Sequence, residues 1–288
     1  MTDLEVLLRE ELSRWPAPDP SAAVLRGPDD VVSWGPDRSY AWASVTKILT
    51  TLAVLDCWGR GELALDEPAG PPGSTVRHLL AHASGLSVDA DRVLSAPGRR
   101  RIYSNRGFEI LGELVVTRSG VGFSALLEER VLAPLGMLTT TCIGSPAHGA
   151  RGPVSDLVRL ARELLRPRHF PPEHLVAART VEFRGIAGVL PGFGRQDPND
   201  WGLGFEVRGA KHPHWTSPLN SPETFGHFGQ AGAFLWVDPV TRIAVVAGTD
   251  TPFGPWAATA WPRFSTRVLR ELAPGPVLER SAPGGELT

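Results

Sequence analysis

The chain has 288 residues, 42% of them hydrophobic, and a formal net charge of −2. That is enough apolar material for one large domain or two modest ones. The near-neutral balance excludes a basic field that would attract nucleic acid, and no apolar run approaches the ~20 residues needed to span a bilayer.

The N-terminus, Met1-Thr2-Asp3-Leu4-Glu5, is acidic and has no basic start before an apolar stretch. No signal peptide is visible, so a cytoplasmic location is expected. In a reducing compartment the two cysteines, Cys57 and Cys142, are expected to be buried thiols. Asp3 to Trp15 reads as an amphipathic helix, with Leu4, Leu7, Leu8 and Leu12 on one face and Pro16, Pro18 and Pro20 ending it. Ala22–Leu25 and Val31–Trp34 read as strands joined by the turn Gly27-Pro28-Asp29-Asp30. Tyr40-Ala41-Trp42-Ala43 leads into Ser44, and a helix follows to about Trp58, with Ile48, Leu49, Leu52 and Leu55 as its stripe.

Residues 62–200 read as mostly helical and loop-rich. The clearest helices are Val76–Ala83, Asn105–Ser119, Phe123–Leu132 and Ser155–Leu165, and Pro171-Pro172 is expected to break the chain. The basic run Arg99-Arg100-Arg101 is expected in a solvated loop, and the Gly- and Pro-rich stretch Gly185–Asp200 as a surface loop. From Trp201 the period becomes that of strands: Leu203–Val207, Ala233–Val237 and Ile243–Thr249, the last two joined by Asp238-Pro239-Val240-Thr241. Pro255–Leu272 closes as a helix, and the tail after Pro274 is expected to be loose. The pattern predicts an antiparallel sheet built from both ends of the chain around a helical insertion.

Three motifs carry the chemistry. In the first, Ser44-Val45-Thr46-Lys47, a hydroxyl and an amine stand three residues apart at a strand-to-helix junction. The chain has only two lysines, Lys47 and Lys211, against 27 arginines. Arginine stays protonated, whereas a desolvated lysine can act as a base. Lys47 could therefore activate Ser44. The alternative is an N-capping serine beside a lysine that reaches to solvent. In the second, Tyr103-Ser104-Asn105, Tyr103 could relay a proton to a leaving group and Asn105 could hold a substrate or Lys47. The alternatives are a half-buried aromatic and a helix cap. In the third, Gly226-His227-Phe228-Gly229-Gln230, glycine would let a strand edge approach a ligand, and the N–H of Gln230 could join that of Ser44 as an oxyanion hole. The third motif is placed just before a strand.

Ser-x-x-Lys, Tyr-x-Asn and His-x-Gly in this order resemble the penicillin-binding-protein and class C β-lactamase-like serine hydrolases. The segment Arg77–Leu86 and Trp42–Lys47 as a whole strengthen the likeness, which runs from about Ala22 to Thr249. The resemblance implies an α+β fold: an antiparallel sheet flanked by helices, with a mainly helical inserted subdomain and the active site in the cleft between. It divides a single domain of residues 1–288 into a sheet-and-helix part (1–60 and 201–275) and a mainly helical part (61–200). It implies Ser44, Lys47 and Tyr103 as catalytic residues and Asn105, His227, Gly229 and Gln230 as substrate-binding residues, with no metal or organic cofactor. The implied partner is a small ester, amide or peptide-like substrate. Two departures stand out. His227 replaces a lysine that would grip a substrate carboxylate, and the expected lack of a signal peptide argues against cell-wall work.

Other histidines are weighed as metal ligands and set aside. His212-Pro213-His214 has no third ligand near in sequence, and His78 and His82 lack the glutamate of a zinc-protease helix. Trp42, Trp201 and Trp236 are expected first in the core and second in the cleft. The expected activity is hydrolysis of a small ester or amide through an acyl-enzyme at Ser44. Acyl transfer through the same intermediate, and a ligand-binding or sensing role without turnover, are the alternatives.

Overall fold

The computed structural model describes residues 2–273; the expected loose tail after Pro274 lies outside them. The first helix, α1 (Asp3–Leu12), starts with a capping box in which Thr2 and Glu5 exchange side-chain and backbone hydrogen bonds. A hairpin follows, β1 (Ser21–Arg26) and β2 (Asp30–Trp34), turning through Gly27 at φ +66°. After β3 (Tyr40–Ala41) a 3₁₀ turn, Ala43–Val45, runs directly into α2 (Thr46–Gly59).

The middle of the chain holds α3 (Val76–Leu80), α4 (Asn105–Ser119) and α5 (Phe123–Leu127), the last continued by a π turn at Glu128–Leu132. Then come β4 (Thr141–Cys142), β5 (Ala150–Gly152), α6 (Val154–Leu165), α7 (Pro172–Arg179) and the hairpin β6 (Gly188–Leu190) with β7 (Gly194–Gln196). The chain returns through β8 (Glu206–Val207), β9 (Phe225–Phe228), β10 (Phe234–Asp238) and β11 (Ile243–Gly248) to α8 (Pro255–Glu271).

The main sheet is antiparallel, ordered β2-β1-β11-β10-β9-β8, so both ends of the chain meet where β1 pairs with β11. Side chains alternate across it. Ala22, Val24, Phe234, Trp236 and Val245 pack with Leu8 of α1 and with Trp261 and Phe264 of α8. Ala23, Leu25, Leu235, Val237 and Val246 belong to the core on the other face, with α2, α4 and α6. Burial on both faces explains why these strands read as nearly continuous apolar runs. Trp236 and Phe264 have no exposed surface, so truncating either to Ala should cost about 3–5 kcal/mol. Glu11 of α1 ties the outer layer together by accepting from Arg263 and Arg267 of α8 at 3.1 and 2.8 Å.

Two expectations are corrected. Arg101 is buried rather than solvated: its guanidinium donates to the carbonyls of Ala81, Asn199 and Glu182 and so staples three loops. Residues 185–200 contain the β6–β7 hairpin. Pro171-Pro172 does separate α6 from α7, and Pro172 starts α7, where a missing N–H costs nothing. The third motif precedes a strand as expected, β10, and its His227 itself lies within β9. Both cysteines are free and buried. No single helix among the described residues is long and apolar enough to cross a membrane.

Candidate active site

Ser44 sits in the tight turn between β3 and α2. The turn is anchored by Trp42, whose backbone N–H donates to Ala150 O and whose indole donates to Gly152 O, each at 3.0 Å. Ala43 takes φ +44°, a left-handed conformation a non-glycine residue adopts only when its surroundings enforce it. Gly229 packs against the same turn: a Cβ there would lie 2.1 Å from Trp42 O, so only glycine lets the end of β9 press against it. The amides of Ser44 and Gln230 donate to no other described residue. Ser44 caps no helix; it is partly exposed.

Lys47, one helical turn on, has no exposed surface, so it does not reach to solvent. Its Nζ donates to Asn105 Oδ1 at 2.7 Å and to Ala147 O at 3.0 Å, and lies 3.4 Å from Ser44 Oγ. Burial pushes its pKa down to about 7, against a smaller upward pull from Asp89 and Glu109. A neutral amine keeps two hydrogens for Asn105 and Ala147, which leaves its lone pair for the Ser44 hydroxyl.

Tyr103 brings its ring within 4.7 Å of Lys47 Nζ. Its hydroxyl is sealed from solvent and lies against Ser44, without a well-aligned hydrogen bond. Burial raises the phenol above its ordinary range, so it stays protonated at neutral pH. His82 stacks on Tyr103 at 4.5 Å, and its Nδ1 accepts from the Ser104 N–H at 3.1 Å. His82 thus backs Tyr103. The cap of α4 is Ser104, whose Oγ accepts from the Gly107 N–H; Asn105 is thereby free to turn inward to Lys47 and outward to Asp89.

His227 on β9 is buried, and its Nδ1 donates to Phe228 O at 2.7 Å, so Nε2 is an acceptor; it has no partner. Burial, with the nearby Lys47 charge, pushes its pKa down to about 3. It therefore stays neutral across the physiological range. His227 lines a recess of about 30 Å³ with Ser44, Tyr103, Trp201 and Glu206, roughly the room one water takes. In front of it opens a groove of about 560 Å³. Ser44, Tyr103, Asn105 and Gln230 line it with the aliphatic Val88, Leu94, Ile102, Ala187, Val189 and Pro191, and Arg100, Arg101 and Arg195 add positive charge.

All seven residues singled out by motif thus gather around one groove: Gly229 supports the serine turn, and the other six line the groove or touch those that do. Motif reading missed the Ala147 carbonyl, Asp89, Glu206 and the hairpin wall. A backbone acceptor has no side-chain signature, and the hairpin segment looked like a loop. Trp201 lines the recess, while Trp42 and Trp236 are buried in the core. His214 joins a buried cluster with Glu206 and Thr216, and His78 is held by Thr75 and Phe183.

Residues 20–267 match the family described as Beta-lactamase. The chain belongs to the beta-lactamase family. Its fold is that of β-lactamases and penicillin-binding proteins. A crystal structure of a beta-lactamase (Mb2281c) from Mycobacterium bovis superposes with a TM-score of 0.90 at 50% identity, covering 92% of this chain and 99% of that one. Among curated relatives, D-alanyl-D-alanine-carboxypeptidase/endopeptidase AmpH of Escherichia coli (strain K12) is 26% identical over 151 residues, 40% of this chain and 39% of the relative. Esterase EstB of Burkholderia gladioli is 30% identical over 148 residues, 35% of this chain and 38% of the relative. The chain therefore spans just under two fifths of the length of these curated relatives. The family is one of serine hydrolases, and this beta-lactamase family member carries all three polar motifs in one groove.

Proposed function

We propose that the protein hydrolyses small esters with apolar acyl groups through an acyl-enzyme at Ser44. One observation carries this: a fully buried Lys47 whose two good acceptors, Asn105 Oδ1 and Ala147 O, leave its third direction to Ser44 Oγ. Lys47 rather than Tyr103 is the resting base. At neutral pH an amine titrating at about 7 is half neutral, whereas a phenol raised above its usual ~10 is almost never ionised.

Lys47 takes the Ser44 proton as Oγ bonds to the carbonyl carbon. The carbonyl oxygen becomes an oxyanion held by the backbone N–H groups of Ser44 and Gln230. Collapse breaks the bond to the leaving oxygen, which receives its proton from Tyr103, and Tyr103 is reprotonated from Lys47. Water then attacks the acyl-enzyme and gives a proton to Lys47; collapse breaks the acyl–Oγ bond as Lys47 returns that proton to Ser44 Oγ, releasing the acid and restoring the resting site.

Substrate choice is read from the groove. Neutral His227 offers no cation to a carboxylate; the groove pairs aliphatic side chains with Arg100, Arg101 and Arg195. The aliphatic side chains support an apolar acyl group, in keeping with the esterase name among the relatives, and the substrate panel decides whether the arginines also admit an anionic lactam.

The test is labelling by a fluorophosphonate probe with peptide mapping, followed by a panel of esters, β-lactams and D-peptides. Covalent label on Ser44 and turnover of apolar esters are expected, with both lost in Ser44→Ala. An unlabelled Ser44 would refute the nucleophile and favour a ligand-binding role. Adding alcohol or amine acceptors to the ester assay and weighing the products separates hydrolysis from acyl transfer.

A further inference from the structure

We propose that Asp89 is a positioning residue for Lys47, acting through the side-chain amide of Asn105. Asp89 Oδ1 accepts from Asn105 Nδ2 at 2.7 Å, and Asn105 Oδ1 in turn accepts from Lys47 Nζ at 2.7 Å. An ionised carboxylate can only accept, so it selects the NH₂ end of the amide and leaves the carbonyl end facing the amine. The opposite orientation would set two donors against each other at a fully buried Lys47 Nζ.

Asp89 is held for this task. Val88 O accepts the N–H groups of Asn105 and Arg106 at 2.7 and 3.0 Å, and Ser104 Oγ donates to Ser87 O at 2.7 Å. Leu86 bridges to Val93, and Asp91 pairs with Arg106 at 2.7 Å. The segment is thus clamped to the first turn of α4, where a carboxylate also suits the helix dipole.

The charges facing Lys47 are few. Asp89 and Glu109 pull its titration upward, but Glu109 is itself 3.7 Å from the Arg106 guanidinium. His82 and His227 on the far side are held neutral by burial. Tyr103 and Phe108 present ring faces at 4.7 and 5.5 Å. Asp89 is therefore the carboxylate best placed to act on the amine, and it does so through a hydrogen-bonded link.

The role in turnover rests on the proposed function above; the effect on the amine does not, and can be read directly. The chain has two lysines, so protein labelled with ¹⁵N at the lysine side-chain nitrogen gives two signals to follow against pH. Lys47→Arg identifies which is which, and Lys211, paired with Glu206, is the internal control. Asp89→Asn keeps the shape and removes the charge, and should lower the Lys47 midpoint by about half a pH unit, less in 1 M salt. Asp89→Ala also frees the amide. It should lower the midpoint further and reduce kcat about tenfold, the loss expected when a catalytic group is left imperfectly held. Asp89→Glu should recover part of both. The acid limb of kcat/KM should move with the Lys47 signal. A Lys47 midpoint equal in wild type, Asp89→Asn and Asp89→Ala would overturn the proposal even if esters are hydrolysed. A shifted midpoint in a protein that turns over no ester would leave it standing and refute the hydrolase reading.

Discussion

The two lysines occupy opposite kinds of burial. Lys47 is enclosed by neutral acceptors, a carbonyl and an amide, with no carboxylate in contact. Lys211 is equally enclosed, but pairs with Glu206 Oε1 at 3.0 Å and donates to the Asp200 and Val207 carbonyls. Glu206 is further bound by His214 at 2.8 Å and the Trp215 indole. Burial lowers both amines, and for Lys211 the Glu206 charge opposes the shift. A buried amine with a counter-charge is held charged and structural. One without it is poised to lose its proton, and only that one stands beside a serine. The contrast shows that burial alone does not make a base; the identity of the acceptors does.

The widest separation should come from removing the reactive pair. Ser44→Ala should lower kcat/KM for an ester substrate by ~10⁴-fold or more, and Lys47→Met by ~10³-fold, both with near wild-type denaturation midpoints. Lys211→Met should do the reverse. It strands the Glu206 charge among His214 and Trp215 and should cost about 3–5 kcal/mol in urea unfolding, with turnover per folded molecule little changed. Similar stability losses in both lysine variants would break the comparison.

Next in size is the oxyanion arrangement. Gly229→Ala places a Cβ 2.1 Å from Trp42 O. It should push the Gln230 amide away and reduce kcat about 10²-fold. Gln230→Ala should change it less than about threefold, because only the backbone N–H is used. A large loss in Gln230→Ala would assign the side chain a role.

The smallest effects are in pH. With Lys47 lowered to about 7, kcat/KM should rise through pH 7 as the amine loses its proton, then level. The same depression acts on stability. The unfolded chain holds this proton up to about pH 10, so the Lys47 contribution falls as pH drops from ~10 to 7 and is flat below. Glu206 is depressed by Lys211 and His214 despite its burial. Its contribution is full above the ordinary carboxylate range of ~4 and is lost as pH falls beneath it. Urea midpoints across pH, in wild type and Lys47→Met, isolate the first; acid unfolding in Glu206→Gln, with no carboxylate to protonate, isolates the second.

Much of this site was legible in one dimension, because its parts are short motifs. Ser44 and Lys47 are one turn apart on a helix start, and Tyr103 and Asn105 flank the residue that caps α4. Strands β1, β10 and β11 were legible for the same reason: an apolar run between turn residues has few other uses. Asp89, Glu206 and the Arg101 staple were not. Their partners lie 16, 5 or 8, and up to 98 residues away, and an isolated Asp, Glu or Arg looks like solvated surface. The β6–β7 hairpin was hidden by its glycines, which serve a tight turn and a loop alike.

The sequence by itself determined which local elements form and which reactive groups the chain owns: a serine and a lysine on one helical turn, a tyrosine two places before an asparagine, a histidine between glycines. Local hydrogen bonding and side-chain periodicity are enough for that. Only the tertiary structure decided the protonation of those groups. Whether Lys47 is neutral depends on the water excluded and on which acceptors, charged or not, distant segments bring to its nitrogen. That desolvation exists only once β9, the α4 start and the Ala147 loop have closed around it.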